Sequence, residues 1–333
     1  MREYKGDAGV KKILTAIIIA LVLILAHRFD FYGFVEDLYI VKREEIAKDC
    51  SLSINDKTVS LGMSEDEVEK IFGKPSDELL SEYGFNWNIY HQNFKSYIQV
   101  GIKDGVVVGM YTNSPELFIN GITAGTKKED VNSQLGESLE GIVKENTRYL
   151  SNGSENDSNF EIYKIRGAYV TFFYDIYENN SLTSVNIIDC DVEESFTMLY
   201  APPSDELKKS FSVQSFYVTN ATRVRFGLKP YLSHEGLDEL SYDHASDMAK
   251  NDYFSHISQN GDSVLQRAQN GGISFKTIGE NLAMGAQNSV YMHELLMNSD
   301  GHRKNILGDF THMGAGIEFG KNDAPYLTQN FLR

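Results

Sequence analysis

Eleven residues near the C-terminus, Met297–Leu307, read MNSDGHRKNIL. A helix is predicted over about 288–299, and Gly301 is typical of a helix end, so His302 follows directly after the predicted stop. A histidine at such a position has two interpretations. It is either a polar side chain that closes a helix, or a metal ligand or acid–base group.

The last 130 residues hold most of the candidate functional side chains. Eight of them could bind a metal or transfer protons: His234, His244, His256, Glu280, His293, Glu294, His302 and His312. His256 in NDYFSH, Glu280 in IGENLA and His302 lie in contexts that we interpret as helix ends or turns. If these three converge, they can bind a divalent metal with open coordination positions or carry out acid–base chemistry. The alternative is that each one caps a helix or hydrogen-bonds buried backbone groups.

The pattern around these residues predicts helices that flank a small sheet. Ser204 is the predicted N-cap of a helix that ends at Gly227. A second helix is predicted over about 236–252, and the segments MGAGIEFG and APYLTQNFL are predicted strands. Pro202-Pro203 can continue neither a helix nor a central strand, so 191–205 is a predicted linker. The expected fold of 206–333 is an α/β sandwich.

Before this linker, one motif occurs twice. LGMSEDEVEKIFGKP is followed 63 residues later by AGTKKEDVNSQLGES. Each copy predicts a short helix between two glycines, with acidic side chains in its first turn. Strand-like alternation follows each copy, with hairpin turns predicted at Asp104-Gly105, at Arg166-Gly167 and around 179–180. Residues 55–190 are therefore predicted to be an α+β domain that repeats a helix plus an antiparallel sheet.

The aromatic side chains of this domain have two interpretations, a ligand platform or packing in the core and hairpins. We favour packing for four of them: Phe85, Trp87, Tyr90 and Phe94. The many carboxylates of the domain are expected to form a solvated face.

The N-terminus carries a signal-type segment. Residues 13–26, ILTAIIIALVLILA, are apolar apart from Thr15, and four basic side chains precede them. No small-x-small cleavage site follows, and a core helix would show a polar face, so we favour an uncleaved signal-anchor over 1–30. The positive-inside bias then places everything after it outside the cytoplasm. Residues 31–54 are charged and compatible with a helical stalk.

Composition excludes some classes of function. The net charge is −16, and residues 51–200 hold 24 acidic and 11 basic side chains. A nucleic-acid-binding protein needs a basic stripe that neutralises phosphates, and the sequence has none. The two cysteines, Cys50 and Cys190, are too few for a disulfide framework. They either form one bridge that closes the acidic region or stay as two thiols.

Six blocks carry a resemblance to a known family: NATRVRFGLKPY, DMAKNDYFSH, GISFKTIGENLA, MNSDGHRKNIL, FTHMGAGIEF and YLTQNF. In order and rough spacing they resemble the bacterial branch of the CAP superfamily, which is also called SCP-like. The domain before them resembles the CAP-associated N-terminal domain of membrane-anchored proteins in spore-forming Gram-positive bacteria.

This resemblance implies an α–β–α sandwich with a large open cleft lined by two histidines and two glutamates. His256, Glu280 and His302 fall on three of these positions, whereas the second glutamate falls at Ser299. His312 in FTHMG recurs in the bacterial branch and is a further cleft candidate. The incomplete tetrad weakens a catalytic interpretation, and His256 and His302 are the predicted ligands if Zn or another divalent metal is bound.

Two functions are compatible with these patterns. The first is a binding or signalling module of the cell envelope, whose cleft holds a peptide, a lipid or a wall fragment and whose acidic domain is a spacer or a surface for a protein partner. The second is a metal-dependent hydrolase with Glu280 as general base. We favour binding, because the sequence contains no nucleophile elbow and no H-E-x-x-H motif. No nucleic-acid partner is expected, and the expected location is the cell membrane, with the domains outside.

Overall fold

The computed structural model describes residues 50–144, 147–150 and 159–333. The predicted signal-anchor and most of the predicted stalk lie outside the described residues. Within the described ranges, no helix is long and apolar enough to cross a membrane. Strand β1 occupies Ser51–Ile54, inside the range predicted as stalk, because Leu52 and Ile54 are buried in the core of the first domain.

The first domain is an α+β structure of short elements. Its strands are β1 (Ser51–Ile54), β2 (Lys57–Ser60), β3 (Asp77–Leu80), β4 (Asn86–Gln92), β5 (Lys95–Lys103), β6 (Val106–Thr112), β7 (Leu117–Ile119), β8 (Ile122–Thr123), β9 (Gly141–Lys144), β10 (Thr147–Leu150), β11 (Phe160–Ile165), β12 (Ala168–Asp175) and β13 (Ser181–Asp189). Its helices are α1 (Glu65–Phe72), α2 (Lys128–Leu135) and α3 (Cys190–Ser195).

The two helices predicted from the repeated motif are present. Helices α1 and α2 lie where the two motifs place them, and each ends at a glycine with positive φ, Gly73 and Gly136. The three predicted hairpin turns are present, each with two consecutive residues in the left-handed region. Helix α3 lies at the start of the predicted linker.

The sheets differ from the expected pair of small ones. Strands of both repeats join in one seven-stranded antiparallel sheet, ordered β11-β12-β13-β6-β5-β4-β3. The junction is the pairing of β13 with β6, in which Val185 lies opposite Thr112. A two-stranded sheet pairs β9 with β10, and a four-stranded sheet has the order β2-β1-β7-β8. This four-stranded sheet and helices α1 and α2 share a core with the seven-stranded sheet.

The second domain is a sheet between helices, as predicted. Its helices are α4 (Asp205–Arg225), α5 (Glu235–Asn251), α6 (Val264–Asn270), α7 (Ser289–Met297) and α8 (Asp300–Ile306). Its strands are β14 (Leu232–Ser233), β15 (Ile278–Met284), β16 (His312–Phe319) and β17 (Pro325–Leu332), in the order β14-β16-β17-β15. The Ser204 hydroxyl accepts a hydrogen bond from the Leu207 N–H at 3.0 Å, which confirms the predicted N-cap of α4.

Alternation along β16 separates the two helix layers. Met313, Ala315 and Ile317 pack into the core that contains α4, α7 and α8. Gly314 and Gly316 lie on the opposite face, where a Cβ on Gly316 would come within 2.1 Å of the Tyr242 backbone nitrogen in α5. Glycine is therefore required on this face, because α5 lies directly on the strand.

Apolar packing joins the two domains. The face of the seven-stranded sheet that carries Trp87, Tyr111 and Phe173 packs against Val218 of α4 and Val290 of α7. Cys50 and Cys190 are both buried in the first domain, and no bond joins them. Burial raises the pKa of the Cys50 thiol to about 12.

Two candidate side chains on helix α7, those of His293 and Glu294, are buried. The imidazole of His293 is fully buried, with Thr222 Oγ1 at 2.7 Å from its Nε2. Glu294 is buried too, and its Oε1 accepts hydrogen bonds from Ser184 at 2.6 Å and from Tyr111 at 3.2 Å in the first domain. His293 is therefore a core residue, and Glu294 links the two domains.

We expect His293 to make stability depend on pH. Burial and, secondarily, the charge of Arg225 lower its pKa from 6.5 to about 3. Between those values only the unfolded chain protonates this imidazole, so the contribution of His293 is present above pH 6.5 and is lost as the pH falls toward 3. The loss is about 1.4 kcal/mol per pH unit, or roughly 2 kcal/mol at pH 5.

The test has to compare His293→Gln with the wild type, because buried acids act in the opposite direction. Burial raises the pKa of Glu82 to about 7 and raises that of Glu294, so both favour folding at lower pH. These acids are present in both proteins and cancel in the difference. Urea unfolding at pH 7 and pH 5 should show the wild type losing about 2 kcal/mol relative to the variant. A difference that stays constant would contradict this assignment.

Candidate functional site

The structure brings two of the predicted site residues into direct contact. His256 lies in the loop after α5, and Glu280 lies on β15. The Nδ1–H group of His256 donates a hydrogen bond to Glu280 Oε1 at 2.8 Å. The carboxylate is buried, whereas the His256 side chain is 56% exposed. The carboxylate thus fixes the ring with Nε2 available to a ligand.

Arg267 contacts both members of the His256–Glu280 pair. Its Nη2 group donates to the other carboxylate oxygen, Glu280 Oε2, and its Nη1 group donates to the backbone oxygen of His256 at 3.1 Å. Nη1 also bonds the Ser258 hydroxyl at 2.9 Å. Each oxygen of Glu280 therefore accepts a hydrogen bond, one from His256 and one from Arg267, and the same guanidinium group holds the loop that carries His256.

His302 lies beside this pair. Its backbone oxygen accepts from Asn281 Nδ2 at 3.2 Å, and Asn305 Nδ2 donates to the Glu280 backbone oxygen at 3.1 Å. Burial and a charge on His256 both lower the pKa of His302, so its ring is neutral at neutral pH. The rings of His302 and His256 are thus close enough to interact electrostatically.

The buried His244 holds the loop that carries His256. Its Nε2–H group donates to the Ser255 backbone oxygen at 3.0 Å, and burial lowers its pKa. It stays neutral and acts as a structural residue one layer below His256.

The local contexts of two site residues differ from the sequence-based interpretation. Glu280 lies within a strand, not at a helix end, and is held by pairing with Asn330 of β17. His302 lies in the first turn of α8, because the helix predicted over 288–299 stops at Met297 and a new one begins at Asp300. His302 therefore does not close a helix.

The remaining predicted cleft residues do not join the contact network. Ser299 is the N-cap residue of α8, although its side chain makes no capping hydrogen bond. His312 begins β16, where its Nδ1 lies 2.9 Å from Thr311 Oγ1 and its ring lies 5.7 Å from that of His234. Its contacts thus lie two strands away from Glu280.

The arrangement offers only part of a metal site. In the part of the chain that the structure describes, no three His, Cys, Asp or Glu side chains are grouped closely enough to hold a metal. His256 and His302 remain the predicted ligands, whereas zinc sites usually have three or four protein ligands. Glu280 is a poor third ligand, because its side chain is only 2% exposed and its oxygens accept hydrogen bonds from His256 and Arg267.

Three exposed apolar side chains lie close to His256 in the sequence. Phe254 and Ile257 are about half exposed on the same loop, and Leu265 is similarly exposed on α6. Large apolar groups exposed beside a polar site are typical of ligand-binding surfaces.

The first domain reaches the helix that carries His302. Asp175, at the end of β12, accepts a hydrogen bond from Arg303 Nη1 at 2.7 Å, and only 4% of its side chain is exposed. Asn298 adds two bonds before α8 begins, donating to the Tyr174 backbone oxygen at 2.9 Å and accepting from the Ile176 N–H at 2.9 Å. Helix α8 is thus held from the first domain.

Sequence reasoning missed Arg267. No local motif marks it, because it lies on a separate short helix, 13 residues before Glu280. The amides Asn281 and Asn305 lie inside the blocks IGENLA and MNSDGHRKNIL, so their place in the site could have been found there.

Two family models match the chain. Residues 61–198 match the CAP-associated N-terminal family, and residues 216–331 match the cysteine-rich secretory protein family, CAP. These ranges correspond to the two domains described above.

Two Bacillus subtilis proteins are similar to the chain in sequence. The chain is 29% identical to the Bacillus subtilis membrane protein YlbC over 291 residues, which are 82% of each chain. It is 38% identical over 142 residues to Bacillus subtilis YkwD, and this match spans 52% of YkwD.

Two solved structures show the same fold. An extracellular protein with an SCP domain from Bacillus anthracis has a TM-score of 0.71 at 24% identity, covering 82% of this chain and 93% of that one. A cysteine-rich secretory protein from Staphylococcus aureus has a TM-score of 0.67 at 16% identity, covering 82% and 91%.

Proposed function

Because residues 61–198 and 216–331 belong to the CAP-associated N-terminal and CAP families, we propose that the chain is a membrane-anchored binding module of the cell envelope. In this proposal the cleft at His256 and His302 holds an extracytoplasmic ligand. Its class is a peptide or a peptide-bearing wall fragment, whose apolar side chains contact Phe254 and Ile257.

One observation carries the proposal, the buried and hydrogen-bonded carboxylate of Glu280. Only 2% of this side chain is exposed, and its two oxygens already accept hydrogen bonds from His256 and Arg267, so a substrate water or a metal has little access to it. The groups left to a ligand are the two imidazoles, with apolar neighbours. Such a set suits recognition through hydrogen bonds and apolar contact.

The anchored location rests on two supports. Residues 13–26 form an apolar run after four basic side chains, and the relative YlbC is called a membrane protein. A reporter enzyme fused after Arg333 should be active only outside the cytoplasm.

A hydrolase is the second candidate, and the geometry of His256 favours it. A histidine oriented through Nδ1 by a buried carboxylate, with Nε2 open, is the general-base half of many hydrolytic sites. Mass spectrometry of wall fragments incubated with the full chain, with and without Zn²⁺, tests this candidate. If the wild type cleaves the fragments and His256→Ala does not, the proposed function becomes hydrolysis instead of binding. If the wild type leaves the fragments intact, the hydrolase is excluded.

Calorimetric titration of the full chain tests the binding function. The probe is a set of soluble peptide fragments released from purified Gram-positive cell walls. We expect saturable binding that weakens about tenfold in His256→Ala and in His302→Ala, since each loses a hydrogen bond worth about 1–1.5 kcal/mol.

The matched control is His91→Ala, which removes a half-buried imidazole of the first domain. Its affinity should equal that of the wild type. Equal affinity in all four proteins, or no binding to the wild type, would contradict the proposed cleft.

A further inference from the structure

A second concave site lies between the two domains. It is a cavity of about 610 Å³ between the β4–β5 hairpin, α4, α5 and β16, and its lining includes none of the cleft residues described above. A volume of this size is typical of sites that enclose a small organic molecule.

Aromatic rings form much of its wall. Phe94 of the hairpin stacks on His91, with ring centroids 4.6 Å apart and an angle of 5° between the planes. Its centroid also lies 6.2 Å from that of Phe216 and 5.9 Å from that of Tyr217, both on α4. Tyr242 of α5, which is 40% exposed, adds a fifth ring.

The four aromatic side chains pack as predicted, in the core or in a hairpin. Phe85, Trp87 and Tyr90 are buried in the core, whereas Phe94 is half-buried in the β4–β5 hairpin, where it packs on His91 and lines the cavity.

The backbone at Phe94 is strained. Asn93 and Phe94 have φ values of 50° and 63°, and Gln92 pairs with Lys95, so the hairpin has a two-residue turn with both residues in the left-handed region. Glycine is usual at the second position, and a bulky residue there costs about 1–2 kcal/mol. Strain of this kind is concentrated where a side chain contacts a ligand.

Acidic side chains outnumber basic ones in the lining of the cavity. The lining includes two carboxylates, Asp238 and Glu239 of α5, and one ammonium group, Lys209 of α4. Asp238 Oδ1 accepts a hydrogen bond from the Ala315 N–H at 3.0 Å. Among the described residues, the exposed Glu239 side chain has neither a hydrogen bond nor an ion pair. Burial lowers the pKa of His91, so its ring adds no charge at neutral pH.

We propose that this cavity is a binding site for a small cationic amphiphile, a flat apolar body that carries an ammonium group. The body packs among the rings of Phe94, Phe216 and Tyr217, and the ammonium group lies toward Glu239 and Asp238. Aromatic faces attract cations, and a carboxylate without a partner adds to this attraction. The site is separate from the cleft at His256 and does not depend on it.

Calorimetric titration of the full chain with two matched probes tests the site. The probes are 1-naphthylmethylammonium and the neutral 1-naphthalenemethanol. The ammonium probe should bind about tenfold more tightly than the alcohol, since a cation over aromatic rings and near a carboxylate gains about 1–1.5 kcal/mol. Glu239→Gln should weaken the ammonium probe about fivefold and leave the alcohol unchanged.

Phe94→Gly separates binding from structure. Glycine suits the turn, so this variant should keep the wild-type melting temperature while both probes weaken at least about fivefold. Phe94→Asn, which also tolerates positive φ, should do the same.

Three outcomes would overturn the proposal. The first is equal affinity for the two probes, or no binding of either. The second is undiminished binding in both Phe94 variants. The third is loss of ammonium binding in His302→Ala, which would place the probe in the cleft.

Discussion

Arg267→Ala should lower the free energy of unfolding by about 3–5 kcal/mol, the largest effect that we expect from one side chain of the site. Only 2% of the Glu280 side chain is exposed. Without the guanidinium group, its charge stays buried with the His256 ring as its remaining side-chain partner. The loop that carries His256 also loses three hydrogen bonds from Arg267 Nη1. Urea unfolding at pH 7 measures the loss.

The matched control is Lys304→Ala. Lys304 pairs with Asp300 on α8, but both side chains are about 70% exposed, so the loss should be much smaller than that of Arg267→Ala. In the double variant Arg267→Ala, Glu280→Gln no charge is left buried, so its loss should be smaller than the sum of the two single losses. A loss under about 1 kcal/mol in Arg267→Ala would mean that the buried pair does not hold the site.

Asp175→Ala should lower the free energy of unfolding by about 3 kcal/mol. It removes the carboxylate that holds Arg303, of whose side chain only 13% is exposed, and leaves that guanidinium group without an ionic partner within the described residues. It also removes the hydrogen bond from the Tyr177 N–H to Asp175 Oδ1. Because Arg303 directly follows His302, hydrogen exchange of the amides over 300–306 should become faster.

Asp175→Asn distinguishes the two contributions. It keeps an oxygen for the Tyr177 N–H but loses the charge, so most of the loss should persist if the ion pair dominates. Unchanged exchange over 300–306 in Asp175→Ala would contradict the idea that the first domain holds the helix of His302.

Features with a local cause could be predicted from the sequence. The hairpin turns at Asp104-Gly105 and Arg166-Gly167 follow from residues that tolerate positive φ. The cap at Ser204 and the repeated helices follow from signals within four residues of each helix end. The blocks around His256, Glu280 and His302 then suggested that these three residues meet.

Features that depend on distant pairing could not be predicted. The union of both repeats in one sheet depends on β6 pairing with β13, some 75 residues apart, and neither strand's pattern specifies its partner. Glu280 looked like a turn residue because the run Gly279–Asn281 is polar, although it belongs to a strand that pairs with β17 along one edge. Arg267 could not be identified because its role depends on its contact with the buried Glu280 carboxylate, and only the folded chain brings the two together.

The most direct test of the account is the imidazole spectrum of the full chain during titration with the cell-wall peptide fragments. Long-range ¹H–¹⁵N spectra report each histidine ring separately. Binding in the cleft should shift the ring signals of His256 and His302 in proportion to saturation and leave that of the buried His293 in place. Saturable binding that leaves the signals of His256 and His302 unchanged would show that the ligand binds elsewhere and would contradict the central claim.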